Sequence, residues 1–560
     1  MVSPGAAGRE GAGAQIATSR LGALPSTFSA ILTRTSQQML DTGATPLRGL
    51  AFLLLAVCGA QPLVGQCPDG TPAPCAAALR VPAAVRTPDS NSVAVLPFEN
   101  TRRDTAYDYL SDGLASSIAT SLAQIPRLAV RSPSFVRRVS QSGVRDEAAL
   151  GRRLDVRYIV EGEFQRGGDR VRVAVRLVAL PSGTERWGDA YLRPSADLLG
   201  VQEDIAREVA TRIAGALLPP ETRALAARPT RNPAAFDLVL RGNFYLAQRT
   251  ATGVRRAIDE YEAASRLDST YADPLARVAY AYGLVLAYDW EFGLTRDSVL
   301  ARGTADADRA VRLDSASSDA WMARGLLLTR AEPLTFRGVI PSLERAVRLD
   351  PRNVEAWHAL GTQLQYLGRS AASDSALRRA VALEPDRFVT LDNLGVGAEL
   401  AGRLDEARRW CDSALAINPG WVYGLNERTR IAIEQNDTAT ARTAVAAMDA
   451  MTAPEAVPTA MAAGAAYDAW RGDSASARAR AERAVAAYGG DPRRLWLGLP
   501  AATALAEAGE ADRALDLLER FQPRGVQMHL WLRNRGFDPL RTNPRFMRLF
   551  AETQPPAETQ

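Results

Sequence analysis

Ala346-Val-Arg-Leu-Asp-Pro351, Ala380-Val-Ala-Leu-Glu-Pro385 and Ala414-Leu-Ala-Ile-Asn-Pro419 are one phrase written three times, and their prolines stand 34 residues apart. Between the prolines lie Trp357…Leu360-Gly361…Leu364 and Leu391…Leu394-Gly395…Ala398. Large apolar residues at i, i+3 and i+7 make one face of a first helix. Gly361 and Gly395 let a second helix approach closely, small residues such as Ala407 and Ala414 pack that second helix, and proline ends it because it cannot extend the hydrogen-bond ladder. A fixed period of this kind predicts stacked helical hairpins, a solenoid with a concave face.

The period and its residues resemble the tetratricopeptide repeat. Further units read outward from the clean ones, through Gly242, Tyr261 and Ala264, then Tyr282 and Ala310, then Trp321 and Gly325, and beyond them Gly472…Ala484 and Gly509…Leu518. Together they predict an array over residues 232–521 of about eight units. Residues 522–560 are expected to form a capping segment and tail, with Phe537 and Phe546 covering the last apolar face. The resemblance implies binding and no catalysis.

Composition narrows the chemistry. The 67 basic and 63 acidic residues nearly balance, which argues against a nucleic-acid partner. Every basic residue is arginine, so lysine-dependent phosphate loops, kinases and Schiff bases are excluded. Two histidines, His358 and His529, stand far apart in sequence. No metal or cofactor is expected, and no catalytic residue.

Four cysteines occur: Cys58, Cys67, Cys75 and Cys411. Cys67 and Cys75 bracket a turn-rich stretch and are expected to pair if the chain is exported, or to remain two free thiols if it is not. Cys411 reads as a buried small hydrophobe of a second helix. Arg48 precedes an apolar run of eleven residues, Leu50 to Ala60, of signal-core length and short of the roughly 20 needed to span a bilayer. Residues 1–60 are therefore expected to be a signal peptide or a membrane anchor, with Met39 as an alternative start to Met1. Membrane association would run through residues 49–60. Residues 61–90 read as a linker. The expected location is the periplasm or cell envelope, with inner-membrane anchoring as the alternative.

From Ser92 the pattern changes. Val93-Ala-Val-Leu-Pro-Phe98 reads as a buried strand, 109–125 as a helix with Leu110, Leu114, Ile118 and Leu122 on one face, and 127–130 as a second strand. A short helix over 146–154 leads into Tyr158-Ile-Val160, a Gly167-Gly168 turn, and the alternating strand Val171-Arg-Val-Ala-Val-Arg-Leu177. Pro181-Ser-Gly183 turns into Glu185-Arg-Trp187, and 198–217 closes with a helix. An α/β domain over 91–217 is predicted, followed by a linker at 218–231. Its phrases, Val93 to Phe98, Tyr109-Leu-Ser-Asp-Gly-Leu114, the stretch Ala149 to Gly162, and Val201-Gln-Glu-Asp-Ile205, resemble the TolB amino-terminal-like module. In bacteria such modules commonly precede tetratricopeptide repeats. The fold class is thus an α/β module followed by an all-α tetratricopeptide solenoid.

If the first helices line the groove, the inward residues are Glu355, His358, Thr362, Gln365 and Tyr366, then Asp392, Asn393 and Glu399, then Tyr423, Asn426 and Arg430. A mixed polar and aromatic groove suits an extended peptide or a partner helix. The sequence therefore points to a non-enzymatic scaffold for protein-protein interaction, exported to the envelope. The alternative is a cytosolic or membrane-anchored signalling adaptor that regulates a separate kinase, cyclase or transcription factor. The oligomeric state stays open.

Overall fold

The computed structural model describes residues 89–555 apart from 145, 289, 332–335, 454–455, 493 and 522–524. The expectations for the leader, for Met39, for the linker up to residue 88 and for Cys67 and Cys75 lie outside the described residues.

The α/β region is one twisted sheet with helices on both faces. Its strands are β1 (Ser92–Val95), β2 (Glu99–Asn100), β3 (Ala129–Val130), β4 (Tyr158–Gly167), β5 (Arg170–Ala179) and β6 (Thr184–Pro194). The order is β3-β1-β4-β5-β6, with β2 also pairing β4. β1 runs parallel to β3 and β4, and β4, β5 and β6 form an antiparallel meander. Side chains of a strand alternate between faces. Val93 and Val95 accordingly join a core under helices Tyr109–Ala123 and Leu198–Ala214, while Ala94 joins a second core under Pro133–Gln141 and Glu147–Leu154. In β5 the alternation Val171, Val173, Val175, Leu177 breaks at Val178, which turns to the other face. The register shifts at that same Leu177/Val178 step, as a bulge requires.

Three features differ from the sequence reading, the first being a helix over Pro219–Leu225 where residues 218–231 were expected to be linker. The first strand pairing after the long helix is only two residues, Ala129–Val130, and a helix over Pro133–Gln141 follows that the sequence did not announce. β6 also runs well past Trp187, to Pro194. It is largely exposed on both faces, so it carries no apolar alternation to read.

The rest is helical hairpins. Eight stand among the described residues: Pro233–Leu246 with Ala251–Leu267, Ala272–Ala287 with Arg296–Leu313, Ser318–Ala331 with Val339–Leu349, Val354–Tyr366 with Ser370–Leu383, Phe388–Leu400 with Leu404–Ile417, Val422–Glu434 with Thr438–Asp449, Val457–Trp470 with Ser474–Tyr488, and Leu495–Glu507 with Ala511–Arg520. We number them one to eight. The repeated phrase explains their ends. The N–H of Asp350, Glu384 and Asn418 donates to the carbonyl of Ala346, Ala380 and Ala414 respectively, at 2.9–3.0 Å, and the next residue is the proline. Gly361 sits where a Cβ would stand 2.6 Å from Leu377 Cγ, so the fourth hairpin closes only because that carbon is absent. Cys411 is fully buried, its Sγ 3.1 Å from the Gly424 carbonyl oxygen.

After the eighth hairpin come helix Val526–Leu532, a 3₁₀ turn Arg535–Leu540 and helix Pro544–Glu552. Phe537 and Phe546 are buried with ring centroids 5.9 Å apart, and His529 packs on Phe550 at 4.3 Å. No helix among the described residues is long and apolar enough to cross a membrane.

Candidate binding cavity

The α/β region and the solenoid touch at two places of opposite character. At the first hairpin the contact is apolar. Phe236 and Leu240 enter the core of the sheet, and a Cβ on Gly113 would lie 3.3 Å from Leu240 Cβ. A small polar cluster borders it, with the Tyr109 hydroxyl donating to Asp237 at 2.6 Å and Arg241 over the Tyr109 ring.

The second contact is ionic. Helix Pro133–Gln141 points its first turn at the loop after the fourth hairpin. Glu384, with no exposed surface, accepts hydrogen bonds from the hydroxyls of Ser132 (3.0 Å) and Ser134 and pairs with Arg138 at 3.2 Å. Arg138 also grips Asp386 through two bonds of 2.6 and 3.1 Å. A fork-shaped guanidinium suits such a paired contact. The α/β region thus reaches from hairpin one to the end of hairpin four.

Between these contacts and the first helices of the hairpins lies a cavity of about 2070 Å³. Glu355, His358, Thr362, Gln365, Tyr366, Asp392, Asn393, Glu399, Tyr423, Asn426 and Arg430 all line it. They are not a uniformly solvated face. Gln365, Asp392 and Asn426 are each less than a tenth exposed, at 6%, 6% and 8%. The Gln365 amide donates to the Asn393 carbonyl oxygen at 2.9 Å, and Asn393 Nδ2 donates to Thr362. Arg430 holds Glu399 through bonds of 2.6 and 3.0 Å. Tyr423 packs its ring on Trp421 at 5.1 Å.

Glu355 is the most heavily paired. Both its oxygens accept from Arg387, at 2.8 and 2.9 Å, and Arg249 of the first hairpin adds a further bond at 2.9 Å. Burial works against its charge, but these two guanidiniums hold its carboxyl well below the ordinary range. The same surroundings act oppositely on His358. Burial and then Arg387 depress its pKa to about 3, and Nδ1 lies 3.0 Å from the Thr390 hydroxyl. A neutral, hydrogen-bonded imidazole is thus built into the wall.

The carboxyl end of the chain completes the cavity. Helix Val526–Leu532 crosses back to the third and fourth hairpins, where Val526 is buried beside Leu328, Leu360 and Leu364. Arg330 donates to Gln527 at 2.8 Å. Tyr366, its hydroxyl pKa pushed up to about 12 by burial, faces Trp496 at 6.4 Å, and Trp496 meets Trp531 edge-on at 6.0 Å. Arg535 pairs with Glu434 at 3.1 Å. Sequence reasoning did not find Arg249, Arg387, Glu427 or this aromatic row, since their partners lie tens to hundreds of residues away. One signal was present: Glu384 breaks the repeated phrase, where the neighbouring copies carry Asp350 and Asn418.

Among the described residues no group of three or more His, Cys, Asp or Glu side chains is arranged to hold a metal ion.

No protein-family model matches the chain. A curated protein of Rhizobium meliloti (strain 1021), described as "Putative adenylate cyclase 3", is 30% identical over 166 residues, which is 29% of this chain and 28% of that protein. The match therefore spans less than a third of that relative. Among solved structures, YrrB, described as a TPR protein with an unusual peptide-binding site, is 22% identical over 34% of this chain and 90% of its own, with a TM-score of 0.23. Pseudomonas aeruginosa pilF is 17% identical over 39% of this chain and 95% of its own, at 0.31. Yeast Tom70 is 12% identical over 64% and 83%, at 0.36. The hairpins described above carry the fold on their own geometry, and the third, fourth and fifth of them each close on the 34-residue phrase and its proline.

Proposed function

We propose that this chain is a non-enzymatic interaction scaffold that takes a polypeptide segment into the cavity on the concave side of its hairpins. One observation carries the reading. The residues picked out for the inner face all line one cavity of about 2070 Å³, twice the upper size of ordinary small-molecule sites, about 300–1,000 Å³. Rows of amide, carboxylate, guanidinium and aromatic groups on rigid helices can satisfy the backbone and side chains of an extended or helical segment. The α/β region, which resembles the TolB amino-terminal-like module, would serve as a second docking surface and as one wall of the cavity. Export to the envelope is part of the proposal and is supported by the apolar run at residues 50–60.

The test is retention of a fluorescent random nonapeptide pool on the immobilised full chain. We expect the Thr362→Trp and Asn393→Trp variants, which fill the cavity, to lose retention while keeping the helical circular-dichroism spectrum. Undiminished retention by both would overturn the groove reading. Location is read with alkaline phosphatase, active where disulfides form, fused after chains beginning at Met1 and at Met39. Activity supports export, and stable inactive fusions from both starts contradict it.

The stretch of likeness to an adenylate cyclase favours a second reading: a signalling adaptor that regulates a separate cyclase. Cyclic-AMP output from a co-expressed cyclase, changed by this chain and restored by its removal, would mark that reading over the first.

A further inference from the structure

Resting on the peptide-binding proposal above, the geometry points to an acidic subsite at Asp392 and Glu427 that receives the cationic side chain, guanidinium or ammonium, of the bound segment. The observation is an imbalance in one part of the cavity wall. Three other carboxylates of the wall are satisfied: Glu355 by Arg387 and Arg249, Glu384 by two hydroxyls and Arg138, Glu399 by Arg430. Glu427 is different. It lies on helix Val422–Glu434, is 1% exposed, lines the cavity, and neither carboxylate oxygen has a hydrogen-bond partner. Asp392, on the neighbouring helix Phe388–Leu400, is 6% exposed and has the Trp421 indole N–H beside it as its neutral neighbour.

The two helices aim these groups at each other's glycines. Glu427 Oε1 lies 2.7 Å from where a Cβ on Gly395 would stand, and Asp392 Oδ1 lies 3.4 Å from the equivalent point on Gly424. Both notches exist because those side chains are missing. Three carboxylates, Asp392, Glu399 and Glu427, therefore face one guanidinium, Arg430, which is already committed to Glu399 through both of its bonds. Buried polar groups are nearly always paired, and an unpaired buried carboxylate is among the costliest arrangements a protein keeps. A cation delivered by a ligand supplies the missing partner. A guanidinium, with five donors and weak hydration, could bond both groups at once.

The experiment uses the full chain and two peptide pools that differ at one atom type. Both are fluorescent nonapeptides randomised at eight positions; one carries arginine at the centre and the other citrulline, its uncharged isostere. We expect the arginine pool to be retained roughly tenfold better. Asp392→Asn and Glu427→Gln, which keep shape and remove charge, should each narrow the difference, and together abolish it. Equal retention of the two pools by the natural chain would overturn the subsite and leave the groove reading standing. A preference for arginine that survives the double variant would also overturn it, by placing the cation elsewhere in the cavity. Retention of neither pool by folded protein would remove the groove reading and the subsite with it.

Discussion

Glu355 and Glu427 are the same residue on first helices of the same array, two hairpins apart on one cavity wall, and they live in opposite surroundings. Glu355 is held by two arginines from different hairpins and stays ionised far below its usual range. Glu427 is buried without a hydrogen-bond partner, and burial, then Asp392 and Glu399, push its pKa well above the ordinary value. The repeat supplies the position; what the neighbouring units put opposite it decides whether the group is structure or vacancy. A solenoid built from one phrase can thus carry a closed, load-sharing wall at hairpin four and an unfilled acid at hairpin six.

The comparison breaks most severely at Glu355. Glu355→Ala leaves Arg387 and Arg249 facing each other with no anion between them, and removing one partner of a buried ion pair costs about 3–5 kcal/mol. We expect the urea midpoint to fall by a matching amount, with a milder fall for Glu355→Gln. An undisturbed midpoint would mean that the paired wall carries no stability.

Glu384 tests whether pairing also fastens the α/β region. With two hydroxyls and Arg138 on one carboxylate, Glu384→Ala should cost about 2–3 kcal/mol, given about 1.5–3 for hydrogen bonds to a charged group. Limited proteolysis should then cut first around helix Pro133–Gln141. Gly361→Leu belongs to the same order: its added side chain would drive into Leu377, 2.6 Å from the Cβ position, and overpacking costs about 1–3 kcal/mol.

Glu427 should respond with the opposite sign. Its raised pKa means that the unfolded chain releases a proton near pH 4.5 while the folded chain keeps it. Stability is therefore lost as pH rises from that value towards the folded pKa. Glu427→Gln removes the penalty, so we expect it to raise the melting temperature at pH 8 and to leave it unchanged at pH 4. A fall at pH 8 would show that the carboxylate is satisfied by something in the free protein.

The smallest effect at neutral pH is expected at His358. With its pKa depressed to about 3 against 6.5 unfolded, the unfolded state binds more protons between those values, so stability falls as pH drops through that window. His358→Gln should flatten that acid limb and leave the neutral-pH midpoint nearly unchanged.

Much of this was legible in the sequence, for physical reasons. The 34-residue phrase fixes helix ends and crossings locally, through proline, glycine and alanine, so hairpins could be read without tertiary information. Strand β1 was legible as a short buried apolar run and β5 through period two. Helix Pro133–Gln141 was not. Ser132-Pro-Ser134 reads as a turn, and the run behind it holds only Phe135, Val136 and Val139 as apolar anchors. Its helicity is supported by the sheet on one side and by Glu384, 250 residues along, on the other. The inward residues were found because helix periodicity predicts direction. Their pairing was not, because Arg249 and Glu355, or Tyr366 and Trp496, meet only when the superhelix has turned.

The most direct measurement is hydrogen exchange followed by mass spectrometry on the full chain, with and without the best-retained arginine-centred peptide. We expect slowed exchange in helices Val354–Tyr366, Phe388–Leu400 and Val422–Glu434, extending to Val526–Leu532, with the second helices of the same hairpins little changed. Slowed exchange confined to the second helices, or to the exposed strand β6, would contradict binding in the cavity.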